Sequence, residues 1–310
     1  MSNQDQPTER RHFLRLLTGL VGGYCLQPAI SQANQQTPIR KAIPSSGELI
    51  PVIGMGTSRT FDAAGDQQTI ARLNEVLEAF FRHGGTVIDS SPMYGSSEQV
   101  IGALLQKVGS QGLFSATKAW TDGRTSGIRE MEQSRKLWGI NRFDLIQIHN
   151  LRDWQVHYET LQMMKAEGQV RYIGITTSHG RDHEALRTVL ENHPLDFVQF
   201  SYNIGNRDVE RVLLPLAAER GIAVLVNRPF GRGCLFRATK GRRLPDWATE
   251  IDCTSWGQFF LKYAVSHPAV SCAIPATSKV HHMIDNMGAG FGRLPDQTMR
   301  DQMEAHFRTL

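Results

Sequence analysis

Beyond residue 47, two spacings of apolar residues take turns along the chain. Short runs rich in β-branched and aromatic side chains, bounded by glycine or polar clusters, read as strands. Longer stretches with apolar residues three and four apart read as helices. Ile70–His83 shows the helical spacing plainly: Ile70, Leu73, Val76, Leu77, Phe80 and Phe81 share a face, and Gly84-Gly85 stops the helix. Glu48–Thr57 predicts a hairpin that runs into the first core strand. Further strands are predicted at Thr86–Asp89, Leu113–Lys118, Asp144–His149, Tyr172–Thr176, Phe197–Tyr202, Ala223–Asn227 and Cys272–Ile274. Helices are predicted at Ser97–Val108, Ser126–Trp138, Gln155–Glu167, His183–Asn192, Asp208–Arg220, Trp256–Ser266, Val280–Met287 and Asp296–Phe307. The strands are apolar almost without a break, as parallel strands covered on both faces should be.

Eight strand–helix units in about 250 residues predict a single-domain α/β fold, a (β/α)8 TIM barrel over residues 48–310. An open doubly wound sheet is the alternative. It should carry a glycine-rich fingerprint after its first strand, and Gly54-Met55-Gly56 lacks the third glycine.

Residues 1–33 stand outside the pattern. Arg10-Arg11-His12-Phe13-Leu14-Arg15 precedes a mildly apolar run from Leu16 to Ile30, interrupted by Gly19, Gly22 and Gly23. The run falls short of the roughly 20 residues that a spanning helix needs. Ser31-Gln32-Ala33 offers the small residues of a cleavage site. The segment resembles a twin-arginine (Tat) export signal, with Glu9 where a Ser or Thr usually precedes the arginine pair. That resemblance implies passage through the Tat translocon, a periplasmic location and no stable membrane anchor. An uncleaved anchor and an amphipathic surface helix are the rival readings. A lipid anchor on Cys25 is disfavoured by the bulky Tyr24 before it. Residues 34–47 read as a linker and the start of the hairpin.

Composition narrows the class. Apolar residues make up 40% of the 310-residue chain, enough for a full core. The net charge of +4 is scattered, with no basic stripe, so nucleic-acid recognition is not expected. Four cysteines without a CxxC pair give neither a zinc site nor a disulfide framework. Cys234 and Cys253 share one long loop and could pair in an oxidising compartment; two free thiols are the alternative.

The chemistry gathers at strand ends. Thr86–Asp89 finishes in a carboxylate and enters a tight loop, Ser90-Ser91-Pro92-Met93-Tyr94-Gly95. The next two strands end in Lys118 and His149. In a barrel, residues at the C-terminal ends of strands share one bowl. A phenol near pKa 10 is a poor acid at neutral pH, and an ammonium beside it favours the phenolate. Asp89 is therefore expected to anchor Lys118, and Lys118 to tune Tyr94 as a proton donor. His149 is expected to donate to a carbonyl oxygen and orient it.

In these four positions, in order and on the right strands, the chain from about Ile43 onward resembles the aldo/keto reductases. The resemblance implies a nicotinamide cofactor across the barrel mouth and reduction of a small-molecule carbonyl, aldehyde or ketone, to an alcohol. Asp89, Tyr94, Lys118 and His149 fall on the family's catalytic tetrad. Asp89 and Thr57 would also border the cofactor. Gln199 resembles the residue that holds the nicotinamide carboxamide. Thr176-Thr177 replaces the usual Ser-Asn. Asn227 stands where many members stack an aromatic ring, followed by Arg228, Phe230 and Gly231 as loop contacts. Thr277, Ser278, Lys279, His282, Asp285 and Asn286 resemble the adenosine-phosphate clamp, with Ala276 and His282 replacing two basic residues. Lys279 remains as the firm cation, so NADP(H) is expected over NAD(H).

Met93 and Trp120 are expected to wall the substrate pocket, and the long loop Phe230–Ser255 to lid it. A cofactor-binding or redox-sensing module with slow turnover is the alternative function. A metal-dependent barrel hydrolase should show His-x-His on its first strand. Glu48–Thr57 has no histidine, so no metal site is expected.

Overall fold

Strands and helices alternate much as the apolar spacing predicts. The computed structural model describes residues 37–178 and 180–310; the predicted export signal lies outside the described residues. An antiparallel hairpin comes first, β1 (Arg40–Ala42) and β2 (Leu49–Pro51). Its outer strand lies inside the segment expected to be mostly linker. Lys41 fixes it there, donating to the carbonyls of Val265, His267 and Val270 at 2.7–3.0 Å.

Eight parallel strands follow: β3 (Met55–Gly56), β4 (Val87–Asp89), β5 (Phe114–Ala119), β6 (Phe143–Ile148), β7 (Val170–Thr176), β8 (Phe197–Ser201), β9 (Ala223–Asn227) and β10 (Cys272–Ala273). The helices are α1 (Gln67–Arg82), α2 (Ser97–Val108), α3 (Arg124–Trp138), α4 (Trp154–Ala166), α5 (His183–Asn192), α6 (Leu213–Glu219), α7 (Cys234–Ala238), α8 (Trp256–Ser266), α9 (Val280–Gly288) and α10 (Gln297–Phe307). The strands pair in chain order from β3 to β10. Parallel bridges at Ile53–Ala273 and Gly56–Ala276 then join the first strand region to the last. A sheet whose ends pair with each other is a barrel, which removes the doubly wound alternative. The same seam explains the two glycines. A Cβ on Gly54 would stand 2.9 Å from the Val87 carbonyl oxygen, and one on Gly56 would stand 2.7 Å from that of Ile274. They permit close strand packing and make no dinucleotide fingerprint.

Inside the barrel, the period-two alternation of each strand builds layers. The floor is apolar: Val87, Phe114, Leu145, Tyr172, Phe197, Leu225 and Cys272 meet the hairpin residues Ile43 and Ile50. Higher up, the inward positions turn polar, with Asp89, Lys118, Gln147, Gln199 and Asn227. A larger apolar cluster fills the space between strands and helices, including Leu73, Phe80, Ile101, Trp138, Phe200 and Phe259. The hydrophobic work is done below and around the strands, which leaves their upper ends to chemistry.

Two expectations change. Asp208–Arg220 does not form one helix: a 3-10 turn covers Asp208–Arg211 and α6 starts at Leu213. Pro215 lies in the first turn of α6, where its missing N–H is harmless, but its ring excludes a helical carbonyl four residues earlier. Nor is Phe230–Ser255 a free lid. It folds into α7 and a 3-10 segment at Asp246–Ile251, and Leu235, Ala248 and Ile251 join the core.

Candidate active site

Asp89 closes β4 with its side chain turned into the barrel, 2% exposed. Its Oδ2 accepts from Lys118 Nζ at 2.5 Å, and its Oδ1 accepts from Gln147 Nε2 at 2.9 Å and Gln199 Nε2 at 3.0 Å. Lys118, on β5, is fully buried and also donates to the Ser90 carbonyl at 2.7 Å. Burial works against its ammonium. Asp89 and the phenol of Tyr94 outweigh that and hold its pKa above the usual lysine range.

The loop after β4 aims Tyr94. Ser91 and Tyr94 are the ends of a turn, with the Tyr94 N–H on the Ser91 carbonyl at 3.0 Å and Pro92 at the second position, where its fixed φ suits a turn. Ser97 Oγ donates to the Tyr94 carbonyl at 2.7 Å, and Gly95 takes φ 60° to leave the loop. Lys118 Nζ lies 5.3 Å from the centre of the Tyr94 ring. Burial raises the phenol's pKa and the Lys118 charge pulls it down, with burial the stronger. Lys118 thus acts on the phenol in the expected direction, and burial, which the sequence reading did not weigh, opposes it and keeps the proton on the phenol.

His149 follows β6 and meets the Tyr94 ring edge-on, with centroids 5.9 Å apart. Burial, aided by Lys118, lowers its pKa to about 3, so the ring is neutral at physiological pH. Its Nδ1 lies 3.0 Å from Ser91 Oγ. Tyr94, His149, Asp89 and Met93 all line a cavity of about 470 Å³ at the barrel mouth. Among the described residues, no group of three metal-ligating side chains occurs, and no helix is long and apolar enough to cross a membrane.

A buried Lys–Asp pair next to a protonated phenol and a neutral imidazole, all at strand ends in one bowl, can protonate an oxygen while a neighbour orients it. The sequence profile of the aldo/keto reductase family matches residues 52–306. The chain belongs to the aldo/keto reductase family. A probable aldo-keto reductase of Glycine max is 25% identical over 276 residues, covering 74% of this chain and 78% of that protein. An aldo-keto reductase from Klebsiella pneumoniae, solved in complex with NADPH, superposes with a TM-score of 0.71 at 22% identity, covering 87% of this chain and 95% of the other. The holo form of an aldo-keto reductase from Bacillus halodurans superposes equally well, at 0.71 and 20% identity over 87% of this chain and 96% of that one.

The remaining predicted positions in this reductase divide into four groups. Thr57, Thr176, Gln199, Asn227, Arg228 and Phe230 border the cavity. Thr177 is buried beside them, and its Oγ1 has no hydrogen-bond partner. Gly231 borders a smaller neighbouring hollow with Asn203 and Cys234. Thr277, Ser278, Lys279, His282, Asp285 and Asn286 lie beyond β10 and do not line the cavity; Pro275 and Ala276 at its rim lead into them. Asp285 is engaged there by Ser255 Oγ at 2.7 Å and Gln258 Nε2 at 3.0 Å.

Trp120 does not line the cavity. Its ring backs His149 at 4.9 Å, with the Arg152 guanidinium 4.9 Å from its centre on the way to Asp122. Of the loop expected to lid the bowl, Phe230, Arg232, Gly233 and Phe236 reach it. Cys234 is exposed, Cys253 is buried, and both are free thiols, so the bridge does not form here.

Sequence reasoning missed several residues at the site. Gln147 holds Asp89 from the position two before His149, and period-two reasoning along β6 would have placed it inside. Ser91 links the Tyr94 turn to His149. Arg59 and Arg232 stand at the mouth with Arg228, all three with left-handed backbones at φ 66°, 56° and 51°. Such conformations cost non-glycine residues energy and tend to mark functional sites. Burial and then the neighbouring arginines lower the Arg228 pKa to about 10.

Proposed function

We infer that this protein is an NADPH-dependent reductase of small aldehydes or ketones. The observation that carries the inference is the Tyr94 phenol at the cavity, with the buried Lys118–Asp89 pair on one side of it and the His149 ring on the other. The polar surroundings fit a nicotinamide dinucleotide. Thr177 Oγ1 is buried and unpartnered beside Gln199 and Asn227, which suits a carboxamide. Arg59, Arg228 and Arg232 give the mouth positive charge for a pyrophosphate. The N-terminus of α9, Lys279, Thr277 and Ser278 favour a 2′-phosphate, and so NADP(H) over NAD(H). The Klebsiella pneumoniae relative, which carries NADPH, supports the same choice.

Bound NADPH supplies a hydride to the carbonyl carbon. His149 orients the carbonyl oxygen. Tyr94 gives that oxygen a proton as negative charge develops on it. Lys118 stabilises the phenolate left behind, and Asp89 keeps Lys118 charged and in place. The test is loss of NADPH absorbance with a panel of small aldehydes, run in parallel with NADH. Tyr94→Phe should lose at least about a hundredfold in rate, the low end for a positioned acid, while dinucleotide binding stays intact. A near-wild-type rate in that variant would remove the mechanism.

Residues 1–33 support a second element of the proposal. The arginine pair, the short apolar run and the small residues at 31–33 are read as a Tat signal, taking a folded reductase through the Tat translocon to the periplasm.

A further inference from the structure

We infer that Ser91 is a positioning residue that fixes the tautomer and the orientation of His149. The inference rests on the carbonyl-reductase reading and adds a residue to it.

Hydrogen-bond accounting carries the argument. Ser91 is fully buried. Its Oγ accepts from the Met93 N–H at 3.3 Å and lies 3.0 Å from His149 Nδ1. A serine hydroxyl has one proton to give and two lone pairs to fill. If Nδ1 carried the imidazole proton, Ser91 Oγ would accept twice, and its own proton would be buried without an acceptor. Leaving a buried donor unsatisfied costs about 1–3 kcal/mol. If Ser91 donates to Nδ1, every group is satisfied: the Met93 N–H fills one lone pair of Oγ and the hydroxyl proton fills the bare nitrogen. A neutral imidazole has one proton, so it then sits on Nε2, at the ring edge away from Ser91. His149 borders the cavity. That tautomer presents an N–H to a carbonyl oxygen; the other would present a lone pair, which repels it.

Ser91 also explains how the two groups on the carbonyl oxygen keep their relative position. Its backbone carbonyl accepts from the Tyr94 N–H at 3.0 Å while its side chain meets His149. One residue thus ties the proton donor and the orienting ring together. Ser91→Ala removes the second tie and keeps the first.

The test uses nitrogen-15 NMR of the histidine-labelled protein, with His149 assigned by comparison with His149→Gln. The expected spectrum has a bare, hydrogen-bonded Nδ1 and a protonated Nε2. A protonated Nδ1 in the wild type overturns the inference whether or not the protein reduces a carbonyl, so the tautomer is judged separately from the activity. In Ser91→Ala, the Nδ1 signal should shift as its hydrogen bond is lost. The catalytic efficiency should fall about tenfold or more, a modest share of what one oxyanion donor contributes, with NADPH affinity unchanged. Ser91→Thr, which keeps the hydroxyl, should recover most of the rate. An alanine variant with an unmoved Nδ1 signal and the wild-type rate overturns the inference.

Discussion

Replacing Lys118 with methionine tests the electrostatic core of the site. Methionine is close to lysine in length and fills the buried volume without the charge. Asp89 would then keep two amide donors, from Gln147 and Gln199, and lose its counter-ion. Breaking a buried ion pair from one side typically costs about 3–5 kcal/mol. A second route gives a similar figure. The fold can relieve the charge by taking up a proton on Asp89. Holding an aspartic acid protonated at pH 7, when unfolded aspartates ionise near pH 4, costs about 4 kcal/mol at 1.4 kcal/mol per pH unit. The surviving amide donors reduce either figure, so a loss of about 3 kcal/mol is expected.

The pH dependence has a definite sign. At pH 7 the native variant would bind one proton more than its unfolded chain, so its stability falls as pH rises and recovers as pH drops toward 4. Urea denaturation of wild type and variant at pH 7 and pH 5 measures both effects. The gap between them should narrow at pH 5. Adding Asp89→Asn to Lys118→Met removes the stranded charge and should return part of the lost stability at pH 7, although the double variant stays inactive. A Lys118→Met protein as stable as wild type at pH 7, or a penalty that Asp89→Asn does not relieve, would refute the claim that the pair is a coupled buried unit.

Two further outcomes follow from the same chemistry. Burial and Lys118 place the His149 pKa at about 3, so its neutral form dominates across the working range. The logarithm of kcat/KM should therefore show no inflection near pH 6.5, where an ordinary histidine titrates; a step there that His149→Gln abolishes would contradict the assignment. For export, Arg10→Lys with Arg11→Lys should hold the full-length protein in the cytoplasm in a cell-fractionation assay, and release of that variant at wild-type levels would remove the Tat reading.

The barrel and the meeting of Asp89, Tyr94, Lys118 and His149 were legible for a specific reason. Strand ends in a (β/α)8 fold converge on one bowl, so a titratable residue at the end of each of three successive strands is a spatial statement as well as a sequential one. Asp89, Lys118 and His149 met that condition, and Tyr94 followed on a loop too short to wander. Trp120 shows what nearness in sequence leaves open: its ring packs on His149, which borders the cavity, and carries the Arg152 guanidinium, but does not itself border the cavity. Periodicity reports which side chains are buried, not which neighbour they meet. The split before α6 was visible in Pro215 but masked by a strong apolar pattern on both sides of it. The loop expected to lid the bowl does so only in part: Phe230, Arg232, Gly233 and Phe236 reach the cavity, but loop length says nothing about where Leu235, Ala248 and Ile251 find their apolar partners.

Asn227 stands where the family resemblance leads one to expect an aromatic ring, and the structure gives the asparagine a physical role. Its Nδ2 donates to the Thr177 carbonyl at 3.0 Å and to Gln199 Oε1 at 3.2 Å, and its Oδ1 accepts from Ser201 Oγ at 2.6 Å. Gln199 passes the chain on through its Nε2 to Gln147 Oε1 at 3.1 Å and to Asp89 at 3.0 Å. Asn227 is thus the outer end of an amide chain whose inner end is the carboxylate that anchors Lys118. An aromatic ring at residue 227 would offer nothing to Ser201 Oγ or to Gln199 Oε1, both of which lie on inward, buried positions of β8. Buried polar groups left without partners are costly, and a half-satisfied network is worse than an apolar one. Asparagine at 227 and serine at 201 therefore belong together. The same amide that completes the support of Asp89 removes a flat surface for the nicotinamide ring, while Phe230 and Phe236, whose rings pack 4.8 Å apart at the cavity edge on the next loop, are aromatic side chains placed to supply one.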